Sequence, residues 1–284
     1  MDYAKEFPVK TMCKVLDISR SGYYSWKNNK STNEAKTEGL NEQIKVIFKA
    51  SRATYGSPRV AVALKKMNVE ISESTVARRM KGLRITPKIK KRFKHTTDSK
   101  HDLNISPNLL NRAFKVSELG RVWVSDITYI RIGHSFVYLT TVIDLADRMV
   151  VGWNLSDNMT DKHTVITAFK KAIKTRRISS GLIFHSDRGR QYASDDFRKL
   201  LTEQKCIQSM SRKGNCWDNA VAESFFKTIK VESLYRFKFE KASEVYSAIF
   251  DYIDGWYNTR RIHSSLGGKS PREMSNFLAI KDTA

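Results

Sequence analysis

The chain has 284 residues, with 51 Lys or Arg against 29 Asp or Glu and a formal charge of +22. A content of 40% hydrophobic and 11% aromatic residues is enough to bury a core, so a disordered basic tail is excluded and the length suggests about two domains. No apolar run approaches the ~18 residues of a membrane span. The N-terminus lacks the apolar stretch of a secretory signal, and three cysteines without a C-x-x-C pair support neither a disulfide framework nor structural zinc. A cytoplasmic chain with reduced thiols is expected.

The charge is uneven. Residues 1–115 hold 25 Lys or Arg against 10 Asp or Glu, so most of the excess lies in the first part of the chain. Phosphate polyanions attract such segments through counterion release, which makes nucleic acid the leading partner. Residues 12–29 read as a short helix, a turn at Ser21-Gly22 and an aromatic-basic stretch of Tyr23, Tyr24 and Trp26, a helical lead segment over 1–35. Leu40, Ile44, Ile47 and Phe48 recur at helical spacing, Gly56-Ser57-Pro58 breaks the pattern, and Val60, Leu64 and Met67 begin a second stripe. Ser72 can cap a third helix that buries Val76, Met80 and Leu83 and turns Arg78, Arg79 and Lys81 away from them. A trihelical unit over 36–87 with a basic last helix suits a helix-turn-helix-like DNA-binding domain, with Arg78 and Arg79 as DNA contacts. Residues 88–117 read as a linker whose basic run, with Lys90, Lys91 and Arg92, can follow a phosphate backbone.

From residue 121 the texture changes. RVWVSDITYIRI, FVYLTTVIDLA and RMVVGWNLS read as three strands of a meander, with turns at Gly133-His134 and Asp147-Arg148. A helical stripe over 164–175 leads to the strand GLIFHSD; a helix over 195–206, the strand IQSMS and two amphipathic helices over 219–235 and 243–257 follow. The predicted order β-β-β-α-β-α-β-α-α defines one α/β domain over 118–258, followed by a basic tail over 259–284 in which Arg260, Arg261 and His263 form a patch suited to phosphate.

Three acids stand out in that domain. Asp126 shares a strand face with Val122, Val124 and Ile130, where a carboxylate is costly unless it is paired or binds metal. Asp187 lies just beyond the end of an apolar strand, where ligands of α/β sheets gather. Glu223 sits on a helix in a polar stripe with Asn219, Lys227 and Lys230. If the crossover returns the Asp187 strand beside the first, the two Asp side chains come within reach of one metal and Glu223 closes the site. Three carboxylates that close repel one another without cations. Two Mg²⁺ ions, with Mn²⁺ as a substitute, balance them and suit hard oxygen ligands. Two such ions about 4 Å apart support in-line displacement at phosphorus. A packed strand-end histidine and a group that orients a carboxylate or phosphate are equal readings of His185, and Trp217 is either DNA support or a core anchor. A non-enzymatic DNA-binding regulator needs only the basic trihelical unit and is the main alternative.

The segments WVSDITYI, HSDRGRQY and SRKGNCWDNAVAESFFKTIKVE, with 35 residues between the second and third acids, resemble the integrase-core (DDE) transposases of bacterial insertion sequences, relatives of retroviral integrases with a ribonuclease-H-like fold. WYNTRRIHSSLGGKSP (256–271) resembles that family's C-terminal signature and YGSPRV (55–60) its helix-turn-helix-like segment. The resemblance implies that Asp126, Asp187 and Glu223 are catalytic metal ligands and that Lys230 contacts DNA beside them, with Lys227, Asn219 and Trp217 as further support. It further implies binding to terminal inverted repeats, release of a 3′-hydroxyl and its attack on other DNA, by a homo-oligomer assembled on duplex DNA. Two-frame members act as a fusion with an upstream-frame product, so such a partner is expected here for what reads as the downstream frame.

Overall fold

The computed structural model describes residues 6–87 and 103–282. The chain divides into two compact units, residues 1–87 and 88–284. Lys90, Lys91 and Arg92 lie outside the described residues.

The first unit is all helical: α1 (Val9–Val15), α2 (Arg20–Ala50), α3 (Ser57–Lys66) and α4 (Glu73–Gly82). Ile44, Ile47, Tyr55, Val60, Leu64, Val76 and Met80 form its core, as the helical stripes require. The predicted turn at Ser21-Gly22 is instead the first turn of α2, because the Ser19 hydroxyl accepts from the Gly22 N–H at 3.0 Å and starts the helix there. α2 then runs unbroken for 31 residues, across the expected border at residue 35. Pro58 sits in the first turn of α3, where its missing N–H costs nothing, and the Ser72 hydroxyl caps α4 through the Thr75 N–H at 3.3 Å. Met67 falls past the end of α3 and is 51% exposed, so it does not continue the stripe.

The second unit is a five-stranded sheet, β1 (Val122–Ile132), β2 (Ser135–Asp144), β3 (Val150–Ser156), β4 (Ile183–Ser186) and β5 (Ile207–Met210), ordered β3-β2-β1-β4-β5. The first three strands pair antiparallel and β1-β4-β5 pair parallel, as a meander followed by crossovers demands. Helices α5 (Thr167–Thr175), α6 (Arg190–Ala193) and α7 (Asp195–Glu203) supply the crossovers, and α8 (Ala220–Glu232), α9 (Ala242–Tyr252) and α10 (Pro271–Asp282) follow. Trp123, Phe169, Phe184, Tyr192 and Phe197 are all buried in one core, with edge-on ring contacts such as Phe169–Phe184 at 5.5 Å.

Two segments depart from expectation. Residues 103–117 are no linker here: the Leu109 N–H donates to Ser209 Oγ at 2.9 Å, Ser106 Oγ to Gln208 at 2.8 Å and Arg112 Nε to Asp218 at 2.9 Å, which fastens the segment to β5 and to the loop ahead of α8. The expected basic tail is equally folded, since Pro271 opens α10 and the half-buried Arg176 guanidinium donates to Ser275 Oγ at 3.1 Å. Among the described residues no helix is long and apolar enough to cross a membrane.

Candidate active site

Strands β1 and β4 run side by side with Val122 opposite Ile183, Trp123 opposite Phe184 and Val124 opposite His185. Two residues further along each strand stand Asp126 and Asp187, so both acids emerge at one end of the parallel pair. Each carboxylate is oriented by a local backbone donor. The Ile127 N–H donates to Asp126 Oδ1 at 2.8 Å and the Gly189 N–H to Asp187 Oδ1 at 2.9 Å. Glu223 lies in the first turn of α8, exposed, and Lys230 lies two turns along, half-buried.

Electrostatics tie the four residues together. Burial, then the charge of Asp187, pushes the Asp126 carboxyl well above the usual carboxylate range; the Ile127 N–H lowers it, Glu223 raises it and Lys230 lowers it again. Burial also lowers the Lys230 ammonium, against the pull of Asp126. The donors are hard carboxylate oxygens of like charge, with one acid already driven toward its neutral form, and a divalent cation reverses that condition. Among the described residues no group of three or more His, Cys, Asp or Glu side chains is placed to hold a metal ion, and Asp187 and Glu223 act on Asp126 through their charge.

Supports that sequence reasoning overlooked hold β1 beneath the acids. Ser125, one residue before Asp126, shares a hydrogen bond of 2.8 Å with the hydroxyl of the buried Tyr192 on α6. Burial, followed by the charges of Asp126 and Asp187, raises that phenol well above its ordinary value, which keeps it neutral. The Ser125 carbonyl accepts from Asn219 Nδ2 at 3.0 Å, so the residue that leads into α8 is fastened to the strand that carries Asp126. Asp218, fully buried, binds Arg212 Nη2 at 2.7 Å, Arg112 Nε at 2.9 Å and Asn108 Nδ2 at 2.9 Å, which anchors the loop ahead of α8. Tyr192 and Asp218 both stood within the segments quoted above, where their proximity to the acids was the available signal.

The other expected site residues separate. Trp217 is 68% exposed, on the loop ahead of α8, and is no core anchor. Lys227, Arg78 and Arg260 are exposed, whereas Arg79 is half-buried and donates to Thr37 at 3.3 Å, bridging α4 to α2. Asn219 is buried, so its side chain works inside the fold rather than on DNA. Arg261 is buried as well, in a two-pronged ion pair with Glu232, and cannot reach a phosphate. His185 is fully buried between Ser209 Oγ at 2.9 Å and Ser211 Oγ at 3.3 Å; burial lowers it to about 4, so it is a neutral bridge from β4 toward β5. A second buried network joins Arg176 to Asp144 at 2.8 Å and to Asp147 at 2.6 Å, where the sequence suggested only turn material at Asp147-Arg148.

Comparison with known proteins accords with this architecture. Residues 117–216 and 204–271 match integrase core domain families, and residues 35–93 match an HTH-like domain family. The chain is 40% identical over 261 residues to the insertion element IS600 uncharacterized 31 kDa protein of Shigella sonnei, covering 92% of this chain and 96% of that protein. It is 35% identical over 274 residues to the transposase InsF for insertion sequence IS3A of Escherichia coli strain K12, covering 95% of each. Among solved structures, the HTLV-2 integrase catalytic core domain in complex with magnesium aligns at 17% identity and a TM-score of 0.43, over 55% of this chain and 95% of its own. With its five-stranded mixed sheet and its helical N-terminal unit, the chain belongs to the integrase-core transposases of insertion sequences, polynucleotidyl transferases, and carries an HTH-like domain ahead of the core.

Proposed function

We propose that Asp126, Asp187 and Glu223 are the catalytic acids of a DNA transposase that binds the terminal inverted repeats of its element, frees a 3′-hydroxyl by hydrolysis and joins it to other DNA. The observation that carries this reading is the β1–β4 register, which leads Asp126 and Asp187 to one end of that parallel pairing, together with the pull and push of Lys230 and Glu223 on the Asp126 carboxyl. The three acids would hold two Mg²⁺ ions, or Mn²⁺ in their place, and ions so bound supply activation of a water or hydroxyl and stabilisation of the leaving oxygen at phosphorus. Lys230, beside Asp126, meets the phosphate that reacts. Asn219 and Tyr192 hold the Ser125 backbone and side chain, so that Asp126 keeps its aim while charge changes around it. Arg78, Lys90, Lys91, Arg92, Lys227, Trp217 and Arg260 serve the flanking duplex, the majority as sequence-independent phosphate contacts. The working form is a homo-oligomer on DNA, associated with the nucleoid in the cytoplasm and completed by an upstream-frame product.

The test uses strand-resolved cleavage and joining of labelled element ends in Mg²⁺, alongside a gel shift. Asp126→Asn is expected to bring both reactions to background while duplex affinity stays within about twofold. Retained cleavage in that variant, or a wild type that binds the ends and never cuts with either metal, overturns the reading; the second outcome points to a regulator.

A further inference from the structure

The β1–β2 hairpin and the segment after α8 enclose a cleft of about 830 Å³ that Lys230 also lines. Its walls hold four cations, Arg131, Lys230, Arg236 and Lys238, against one acid, Glu240. Between the cations stand aromatic rings, Tyr129 and Tyr235 half-buried and Phe237 60% exposed with its ring 6.0 Å from that of Phe239. The walls are tied together by the Gly133 N–H, which donates to the Phe239 carbonyl at 3.1 Å.

A phenylalanine left in water beside lysine and arginine is poorly placed for stability and well placed for a ligand with a flat apolar face and a negative backbone. Duplex DNA offers the charge but hides the faces of its bases. A single strand offers both, since every unpaired base presents a π-face whatever its identity. The volume lies within the range of about 300–1,000 Å³ that accepts a small molecule, enough for one or two nucleotides. Lys230 lines the cleft and also feels the charge of Asp126, which puts one wall of the cleft beside the first of the acids.

We propose that this cleft binds unpaired deoxynucleotides of the strand opened next to the reacting phosphate, with bases stacked on Phe237 and phosphates held by Lys238, Arg131 and Lys230. The proposal rests on the catalytic reading above and names a part of its substrate. The full chain would be irradiated with a single strand carrying 5-iododeoxyuridine and, separately, with a blunt duplex carrying the same base, and the linked peptides mapped. The single strand is expected to link to the peptide that holds Tyr235 and Phe237, and the duplex much less. Phe237→Ala should lower that yield about tenfold, the loss of one stacked base, whereas Phe237→Trp keeps it. Links confined to other peptides, equal yields from strand and duplex, or no effect of Phe237→Ala overturn the proposal. Asp126→Asn serves as the control: it should retain the link while cleavage is lost, so failure of the cleft and failure of the catalytic acids give different results.

Discussion

Arg261→Met separates a structural cation from a DNA-binding one. Arg261 Nε lies 2.8 Å from Glu232 Oε2 and Nη2 lies 2.7 Å from Oε1, and the Tyr252 hydroxyl donates to the same carboxylate at 2.7 Å. Both charged side chains are under a tenth exposed, at 4% and 8%, so water does not screen the pair. Burial alone would lower the Arg261 guanidinium, yet the Glu232 bond outweighs it and holds Arg261 charged. Removal of the cation strands a buried carboxylate, which costs about 3–5 kcal/mol. For a unit of this size a kcal/mol moves the midpoint by about 2–4 °C, so the variant should melt roughly 6–20 °C below wild type. Addition of Glu232→Gln should recover part of that loss, because no unpaired charge then remains and Tyr252 keeps an acceptor. Thermal unfolding supplies the first readout, and the dependence of duplex affinity on salt supplies the second. A buried Arg261 leaves the salt slope unchanged. A melting point within about 2 °C of wild type, combined with a slope reduced by about one, would refute the reasoning and return Arg261 to the DNA contacts.

Three further outcomes follow from the same contacts. The Arg212 side chain, then its backbone N–H and the Arg112 side chain, hold the Asp218 carboxyl well below the usual range against the opposing effect of burial, so its stabilising contribution is complete above the unfolded value near 4 and fades as pH falls through the folded value. The stability gap between wild type and Asp218→Asn, measured by denaturant titration, should therefore be constant from pH 8 to about 5 and shrink by pH 3; a gap that grows in acid contradicts the assignment. Asn219→Ala, which deletes the bond to the Ser125 carbonyl, should cost about 1–2 kcal/mol of stability and reduce kcat without weakening duplex binding, whereas a pure loss of affinity would place Asn219 on DNA. A methyl group on Gly152 would come within 2.7 Å of the Ala172 backbone nitrogen on α5, so Gly152→Ala should destabilise the core unit by about 1–3 kcal/mol, and an unchanged denaturation midpoint would show that α5 packs less closely than described.

Much of the candidate site was legible because its signals are local. Asp187 follows an apolar strand, and side-chain alternation alone placed Asp126, within its strand, on the face of Val122 and Val124. Helical spacing put Glu223 and Lys230 on one helix, and the order of strands and helices followed from hydrophobic period. Neither spacing nor period stated the distance from Glu223 to the paired acids, since that depends on how α8 is fastened to β1 through Asn219 and Ser125, 94 positions apart.

Charge balance, element order and the candidacy of the three acids were therefore readable from the residues themselves, through patterns that span a few neighbours. The fate of each cation was decided only in three dimensions. Arg260 and Arg261 are adjacent, yet one is exposed and the other is buried on Glu232, 29 residues away along the chain. Residues 103–117 read as polar linker but are fastened to β5 and to the loop ahead of α8, because Ser209 and Asp218 offer acceptors that become their neighbours only once the sheet has formed. Gly22 reads as a turn by composition and sits in a helix, since the Ser19 cap meets its N–H. In each case the deciding partner is a hydrogen-bonding group whose position depends on the folded chain, and composition carries no record of where that group will stand.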